Sequence, residues 1–301
     1  MKILLLTTTN LTTNPRLLKE LKGLRSEFEL NFLGFSFNNW TDLIESKHNQ
    51  ELKDVNCRYI SATRKPFSKW LVSSLVQFLA RKLYQFFKGN LKINAYASDK
   101  RAFLLKRYIF QKIENIDLII AHNLGALYPA FKLAQQLNVP FAFDIEDYHP
   151  GEAILSDGTN EKQRREFLMK RILPKAAYVS YASPLIGQQS KKLIEKLPEN
   201  FFLINNSFHS DEFIPPKNKM GRLKLVWFSQ YIDKGRGLEE IIRVIREFED
   251  DLELHLIGHP RIHFVQKYLK DLGNLVFHGT MSQSAIHGKL SEFDVGLAIE
   301  N

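Results

Sequence analysis

The chain has 301 residues, 44% of them apolar and 25% charged, close to soluble globular averages and long enough for two ordinary domains. That composition excludes a disordered, collagenous or membrane-spanning chain. The one cysteine, Cys57, excludes a disulfide framework and a cysteine-cluster zinc site, and fits a reducing cytoplasm.

Residues 2–7 read as a buried strand. The apolar run from Ile3 to Leu6 is too short for a signal peptide, whose apolar region needs roughly 7–15 residues. It opens into Thr7, Thr8, Thr9 and Asn10. Pro15 suits the first position of a helix over 15–24, with Asn14 as its N-cap. Ligands of open parallel sheets bind beyond the carboxyl ends of the strands, which makes Asn10 and Arg16 candidate contacts. An ordinary surface arginine is the alternative for Arg16.

Strands follow at 29–35 and 58–60, and then the charge changes. The net charge is +9, yet residues 61–110 alone hold eleven Lys/Arg and one acid, Asp99, for +10, so the rest sums to −1. A local patch points to a local anionic partner rather than to nucleic acid, and no nucleic-acid-reading motif accompanies it. Within it, 69–88 reads as a helix with Leu71, Leu75, Phe78, Leu79, Leu83 and Phe86 at helical spacing. Basic, aromatic and amphipathic together suit docking on an anionic membrane surface. The alternative, favoured because the core needs an apolar stripe, packs that stripe on the first sheet and leaves a solvated basic face.

A strand at 117–121 ends at His122, before a helix over 124–137. An imidazole there can contact ligand hydroxyls or take a proton near neutral pH, or else merely satisfy loop backbone groups. A strand at 140–144 ends in Asp144, Glu146, Asp147 and, soon after, Glu152. Such carboxylates accept hydrogen bonds from hydroxyls or act in acid–base chemistry; the alternative is a solvated acidic loop. Hard cations favour carboxylates, but no third cluster supports a metal and none is expected. A helix over 164–173 and strands at 178–182 and 201–204 complete this half.

A polar, proline-containing stretch, 208–221, reads as a linker. Strands resume at 223–228, 252–257, 275–278 and 295–299, with a helix over 238–248. After the first of these come Lys234, Gly235, Arg236 and Gly237, a glycine-containing loop entering a helix. Backbone N–H groups, the helix dipole and the two cations make it receptive to phosphate, and a plain turn with chance basic residues is the alternative. Gly258, and Gly279 after His278, let backbone approach a ligand or simply turn the chain. Glu300 follows the last strand.

Apolar strands alternating with helices imply parallel sheets covered on both faces. The expectation is an α/β chain of two Rossmann-like doubly wound domains, 1–207 and 222–301. The second ends without a helix to cover its last strand and reads as incomplete.

These residues resemble the GT-B glycosyltransferases, specifically the large retaining family-four-like group that uses nucleotide sugars. The stretch Phe202-Leu203-Ile204-Asn205-Asn206-Ser207-Phe208, with Phe213 and Pro215, resembles that family's domain junction, Ser207 replacing a glycine and His209 an aspartate. Arg236-Gly237-Leu238-Glu239-Glu240-Ile241-Ile242 is similar to the element whose basic residue contacts the donor diphosphate. Gln230 stands where an arginine is common, and Lys234 substitutes for it. His122 resembles the family's active-site histidine, and Asp144-Ile145-Glu146 its acidic strand tip. The strands at Gly258 and His278 are similar to those lining the nucleotide pocket. The family's pair of donor-sugar glutamates and its final helix lie beyond the last strand, so the resemblance implies a C-terminally truncated member, with Glu300 in the donor loop.

The resemblance implies sugar transfer from a nucleotide-diphosphate sugar to a hydroxyl of a polysaccharide or lipid-linked acceptor at the inner membrane face. Retention of configuration comes with it, and neither a metal nor a resident cofactor. His122, Asp144 and Glu146 would serve catalysis, Lys234, Arg236, Gly237, Gly258, His278 and Glu300 the donor, and Asn10 and Arg16 the acceptor. A truncated binding module without turnover and a GT-B sugar-nucleotide epimerase remain alternatives.

Overall fold

The computed structural model describes residues 1–152, 157–207, 210, 214–215 and 221–299. The chain divides into two compact units, Met1–Asn206 and Ser207–Asn301.

The first unit contains β1 (Lys2–Thr7), α1 (Pro15–Leu24), β2 (Glu29–Ser36), α2 (Asp42–Glu51), β3 (Asn56–Ser61), α3 (Phe67–Tyr84), α4 (Leu91–Ser98), α5 (Lys100–Lys112) and β4 (Leu118–His122). It continues with α6 (Leu124–Leu137), β5 (Phe141–Ile145), α7 (Gly158–Ile172), β6 (Tyr178–Tyr181), α8 (Pro184–Leu193) and β7 (Phe201–Leu203). Its seven strands are parallel, in the order β3-β2-β1-β4-β5-β6-β7. Successive strand residues point to opposite faces. In β1, Ile3 and Leu5 join Leu17, Leu21 and Leu52 in one core, while Leu4 and Leu6 join Leu105, Ile109 and Leu127 in the other. Each such side chain, fully buried, contributes roughly 1.5–3 kcal/mol. Two covered faces explain why the strands read as unbroken apolar runs. The strand order reverses between β1 and β4, which opens the crevice where doubly wound sheets bind ligands.

The basic segment forms α3, α4 and α5, and α3 corrects the sequence reading. Its inward positions are Ser73, Gln77, Ala80 and Tyr84; Leu71, Leu75, Phe78, Leu79 and Leu83 are exposed. Hydrogen bonds set this orientation. Gln77 Nε2 donates to the carbonyls of Ala97 and Ser98 at 3.3 and 3.4 Å, and Arg81 Nε to Ala97 at 3.0 Å. These donors satisfy carbonyls at the C-terminal end of α4, which a helix leaves without intrahelical partners.

The second unit contains β8 (Leu223–Ile232), α9 (Leu238–Glu247), β9 (Leu252–Pro260), α10 (Ile262–Phe264), β10 (Leu275–Gly279), α11 (Gln283–Leu290) and β11 (Val295–Gly296). The strands are parallel, in the order β10-β9-β8-β11, so this sheet too reverses, between β8 and β11. β8 and β9 run past their expected ends because, after an irregularity between Phe228 and Tyr231, Tyr231 and Ile232 pair with His259 and Pro260. β11 falls short of residue 299 because its pairing with β8 covers only Val295 and Gly296. α9 buries Leu238, Ile242 and Ile245, a helical stripe against the sheet. Among the described residues no helix is long and apolar enough to cross a membrane.

Candidate active site

Parallel register places four polar residues of the first unit side by side at the strand ends: Thr7 pairs with His122, His122 with Asp144, and Asp144 with Ser180. By alternation they share the face of Ile3, Leu5, Ile120 and Ala142, which α1 covers. α1 contributes Arg16 and Glu20, one turn apart on the same helix face. Arg16 Nε and Nη2 donate to Asp144 Oδ2 and Oδ1 at 2.5 and 2.8 Å, and Nη1 donates to the Ile204 carbonyl at 2.5 Å. The Ser180 hydroxyl donates to Asp144 Oδ1. Glu20 Oε2 lies 2.6 Å from His122 Nε2, and Glu146 Oε1 2.8 Å from His122 Nδ1. Asn123 Nδ2 donates to Glu146 Oε2 at 3.1 Å, while Asn123 Oδ1 accepts from the hydroxyls of Thr7 and Thr9. Asn123 pays for this position with a left-handed backbone, φ +64°, which is strained for a residue with a side chain.

The His122 side chain is 1% exposed. Burial alone would lower its pKa, but Glu20 and Glu146 raise it from 6.5 to about 10. His122 is therefore an imidazolium at neutral pH, with each N–H donated to a carboxylate. The charged ring differs from the neutral-pH proton acceptor expected of a strand-end histidine. Burial alone would raise Asp144; Arg16, His122 and Ser180 hold it below the usual carboxylate range. Burial would likewise lower Arg16, and Asp144 raises it. The Arg16 side chain is 12% exposed, so it is not a solvated surface residue. His122, Asp144 and Glu146 present ligand atoms within 4.8 Å of one another. In the structure as it stands Arg16 and Ser180 engage Asp144, and the two ring nitrogens of His122 face Glu20 and Glu146.

Asn10 corrects another expectation. It is 1% exposed, its Nδ2 donates to Thr41 Oγ1 at 2.8 Å, and its Oδ1 accepts from Thr13 N and Oγ1 at 3.0 and 2.8 Å. It builds the loop after β1 and leaves an acceptor little to touch. Thr8 and Thr9 of the same loop line a cavity of about 540 Å³, together with Trp70, Lys100, Asn123, His149 and Arg165 among others. His149 is 5% exposed; its Nδ1 lies 2.5 Å from Glu152 Oε1 and its Nε2 has no hydrogen-bond partner.

In the second unit the loop after β8 carries the expected cations. Arg236 Nη1 donates to Ser229 Oγ at 2.8 Å, and Lys234 is exposed. Gly237 caps α9 at φ +79°, and a Cβ there would overlap the Ile299 carbonyl oxygen. Glu239 Oε1 accepts from Gly235 N at 2.7 Å, so an acid shares the helix entrance. Gly258, at φ +146°, has a packing reason: a Cβ would overlap the Ser229 carbonyl where β9 passes β8. His278 Nε2 lies 2.8 Å from His255 Nδ1 and the rings stack; burial and then His255 lower the His278 pKa. Glu300, and Phe208, His209 and Phe213 of the junction pattern, lie outside the described residues.

No protein-family model and no curated protein sequence matches the chain. Solved structures do. Sucrose-phosphate synthase from Thermosynechococcus elongatus aligns with TM-score 0.61 and 15% identity over 99% of this chain and 75% of its own. Anabaena HepE, in complex with UDP and glucose, aligns with TM-score 0.62 and 14% identity over 98% of this chain and 73% of its own. S. aureus TarM, in complex with UDP among other ligands, aligns with TM-score 0.63 and 11% identity over 98% of this chain and 80% of its own. The fold is that of the GT-B glycosyltransferases. At such identities it is the fold that is shared. Within that GT-B frame the structure brings Arg16, His122, Asp144 and Glu146 into one hydrogen-bonded group, and sets both Gly258 and Arg236 beside Ser229. It pairs His278 with His255 instead. Sequence reasoning missed Glu20, since a helical acid reads by default as solvated; its spacing from Arg16 was the available signal. It also missed His149 and Trp70.

Proposed function

We propose that the chain transfers a sugar from a nucleotide-diphosphate sugar to a hydroxyl of a polysaccharide or lipid-linked acceptor, with retention and without a metal. The observation that carries this is the entrance of α9: a left-handed glycine, Gly237, beneath Arg236 at a helix N-terminus in a GT-B chain. Backbone N–H groups and a guanidinium held by Ser229 favour a diphosphate, and stabilise it further as it becomes the leaving group. HepE and TarM, whose structures hold UDP, support the same donor class for this chain. The first unit supplies the acceptor side. There His122 is a buried cation that orients Glu146 and Glu20, and a proton acceptor, where one is needed, is a carboxylate. A reducing cytoplasm remains the compartment that Cys57 fits.

The test is turnover. The chain is incubated with UDP- and GDP-sugars and a mixture of glycan and lipid-linked acceptors, and nucleoside diphosphate and conjugate are followed by mass spectrometry. Equal release of nucleoside diphosphate and conjugate supports transfer. A free epimerised sugar without conjugate overturns it in favour of an epimerase, and binding without turnover overturns it in favour of a binding module.

A further inference from the structure

The outward face of α3 has no partner within the described structure. Nine of the large apolar side chains exposed among the described residues come from residues 67–87, with Phe78 57% and Phe86 82% exposed. Leu71, Leu75, Phe78, Leu79 and Leu83 form a stripe along a helix of 18 residues, about 27 Å long, and Phe86 extends it in the turn that follows. A stripe of that extent exceeds the scattered apolar exposure normal on a soluble surface. Its exposure is built in, because Ser73, Gln77, Ala80 and Tyr84 fill the inner face and two hydrogen-bonding side chains, Gln77 and Arg81, fix it to α4.

Charge selects the occupant. Exposed Arg64, Lys69, Lys82 and Lys88 lie within and at the ends of the stripe, and among the described residues none has a carboxylate in ion-pair range. The single acid of residues 61–110, Asp99, is held by Arg101 at 3.1 Å. A second copy of this face would set cation against cation. A surface of anionic headgroups over hydrocarbon complements both parts, with long basic side chains reaching the headgroups while Leu and Phe enter the acyl boundary.

We propose that the outward face of α3 lies in the interface of an anionic lipid bilayer. The cavity lined by Trp70, Ser73 and Gln77 then sits behind α3, about one helix diameter from the lipid. Resting on the transferase reading, that position favours an acceptor carried on lipid; the docking itself does not depend on that reading.

The test is co-sedimentation of the full chain with phosphatidylcholine vesicles, with and without phosphatidylglycerol. Binding is expected to the anionic vesicles, weakening as salt rises, and at least tenfold weaker for the doubly substituted Leu75→Glu, Phe78→Glu chain. Circular dichroism and melting temperature check that this variant stays folded. No binding to anionic vesicles at low salt overturns the proposal, as does equal binding by the variant. Self-association of the chain that the same substitutions abolish also overturns it, in favour of a second copy as occupant. Neither donor nor acceptor enters the assay, so its failure leaves the transferase reading to be judged by turnover.

Discussion

A histidine held as a cation between two acids leaves a signature in stability against pH. Its folded pKa is raised from 6.5 to about 10, so the stabilisation is complete below pH 6.5, drains away as pH rises, and is gone above about 10. At 1.36 kcal/mol per unit the full effect is roughly 5 kcal/mol. For a unit the size of Met1–Asn206 that lowers the melting temperature by roughly 10–20 °C. Asp144 runs the other way: its pKa is depressed, so its contribution is present above pH 3.8 and fades only as the solution becomes acid, outside this window. The assay is calorimetric melting from pH 6 to 10, beside ¹⁵N spectra of the histidine rings. Glu20→Gln removes one carboxylate, so His122 should titrate at lower pH, and the loss of stability, still beginning near pH 6.5, should be smaller and complete at a lower pH. A His122 ring that titrates near pH 6.5, or identical melting profiles for wild type and Glu20→Gln, would show that the two acids do not hold the ring as a cation.

Arg16→Met strands the Asp144 carboxylate, 4% exposed, and should cost about 3–5 kcal/mol in thermal or denaturant melts, with Asp144→Asn restoring part of the loss when added. Leu75→Glu with Phe78→Glu should change stability by no more than about 1 kcal/mol, because both side chains face outward; a loss of about 3–5 kcal/mol would mean that the stripe is core after all. Gly237→Ala forces a side chain into a left-handed turn against the Ile299 carbonyl and should cost about 1–3 kcal/mol in the second unit while weakening nucleotide binding.

The alternation of apolar runs and helices was enough to read the two doubly wound sheets, because strands buried on both faces carry an unmistakable pattern. Position at a strand end was enough to single out His122, Asp144 and Glu146, since register in a parallel sheet puts such ends in one row. What could not be read was which partner each would take. Glu20 meets His122 only because α1 lies over β4, and the resulting charge on the ring depends on two acids from different elements. The face of α3 misled for a related reason. Helical periodicity locates a stripe but does not say which way it points, and here the inner face is chosen by Gln77 and Arg81 capping the carbonyls of α4. Gly258 looked like a ligand approach and is explained by the Ser229 carbonyl, a contact between strands that periodicity does not encode.

Isothermal titration of the full chain with UDP, GDP and their sugar conjugates measures the proposed diphosphate site at Arg236 itself. Binding of one nucleotide family is expected, weakened roughly tenfold to a hundredfold by Arg236→Ala, the worth of one charged hydrogen-bonding group. No binding of any of these nucleotides by the wild-type chain, or unchanged affinity in Arg236→Ala, would mean that Arg236 does not hold a diphosphate.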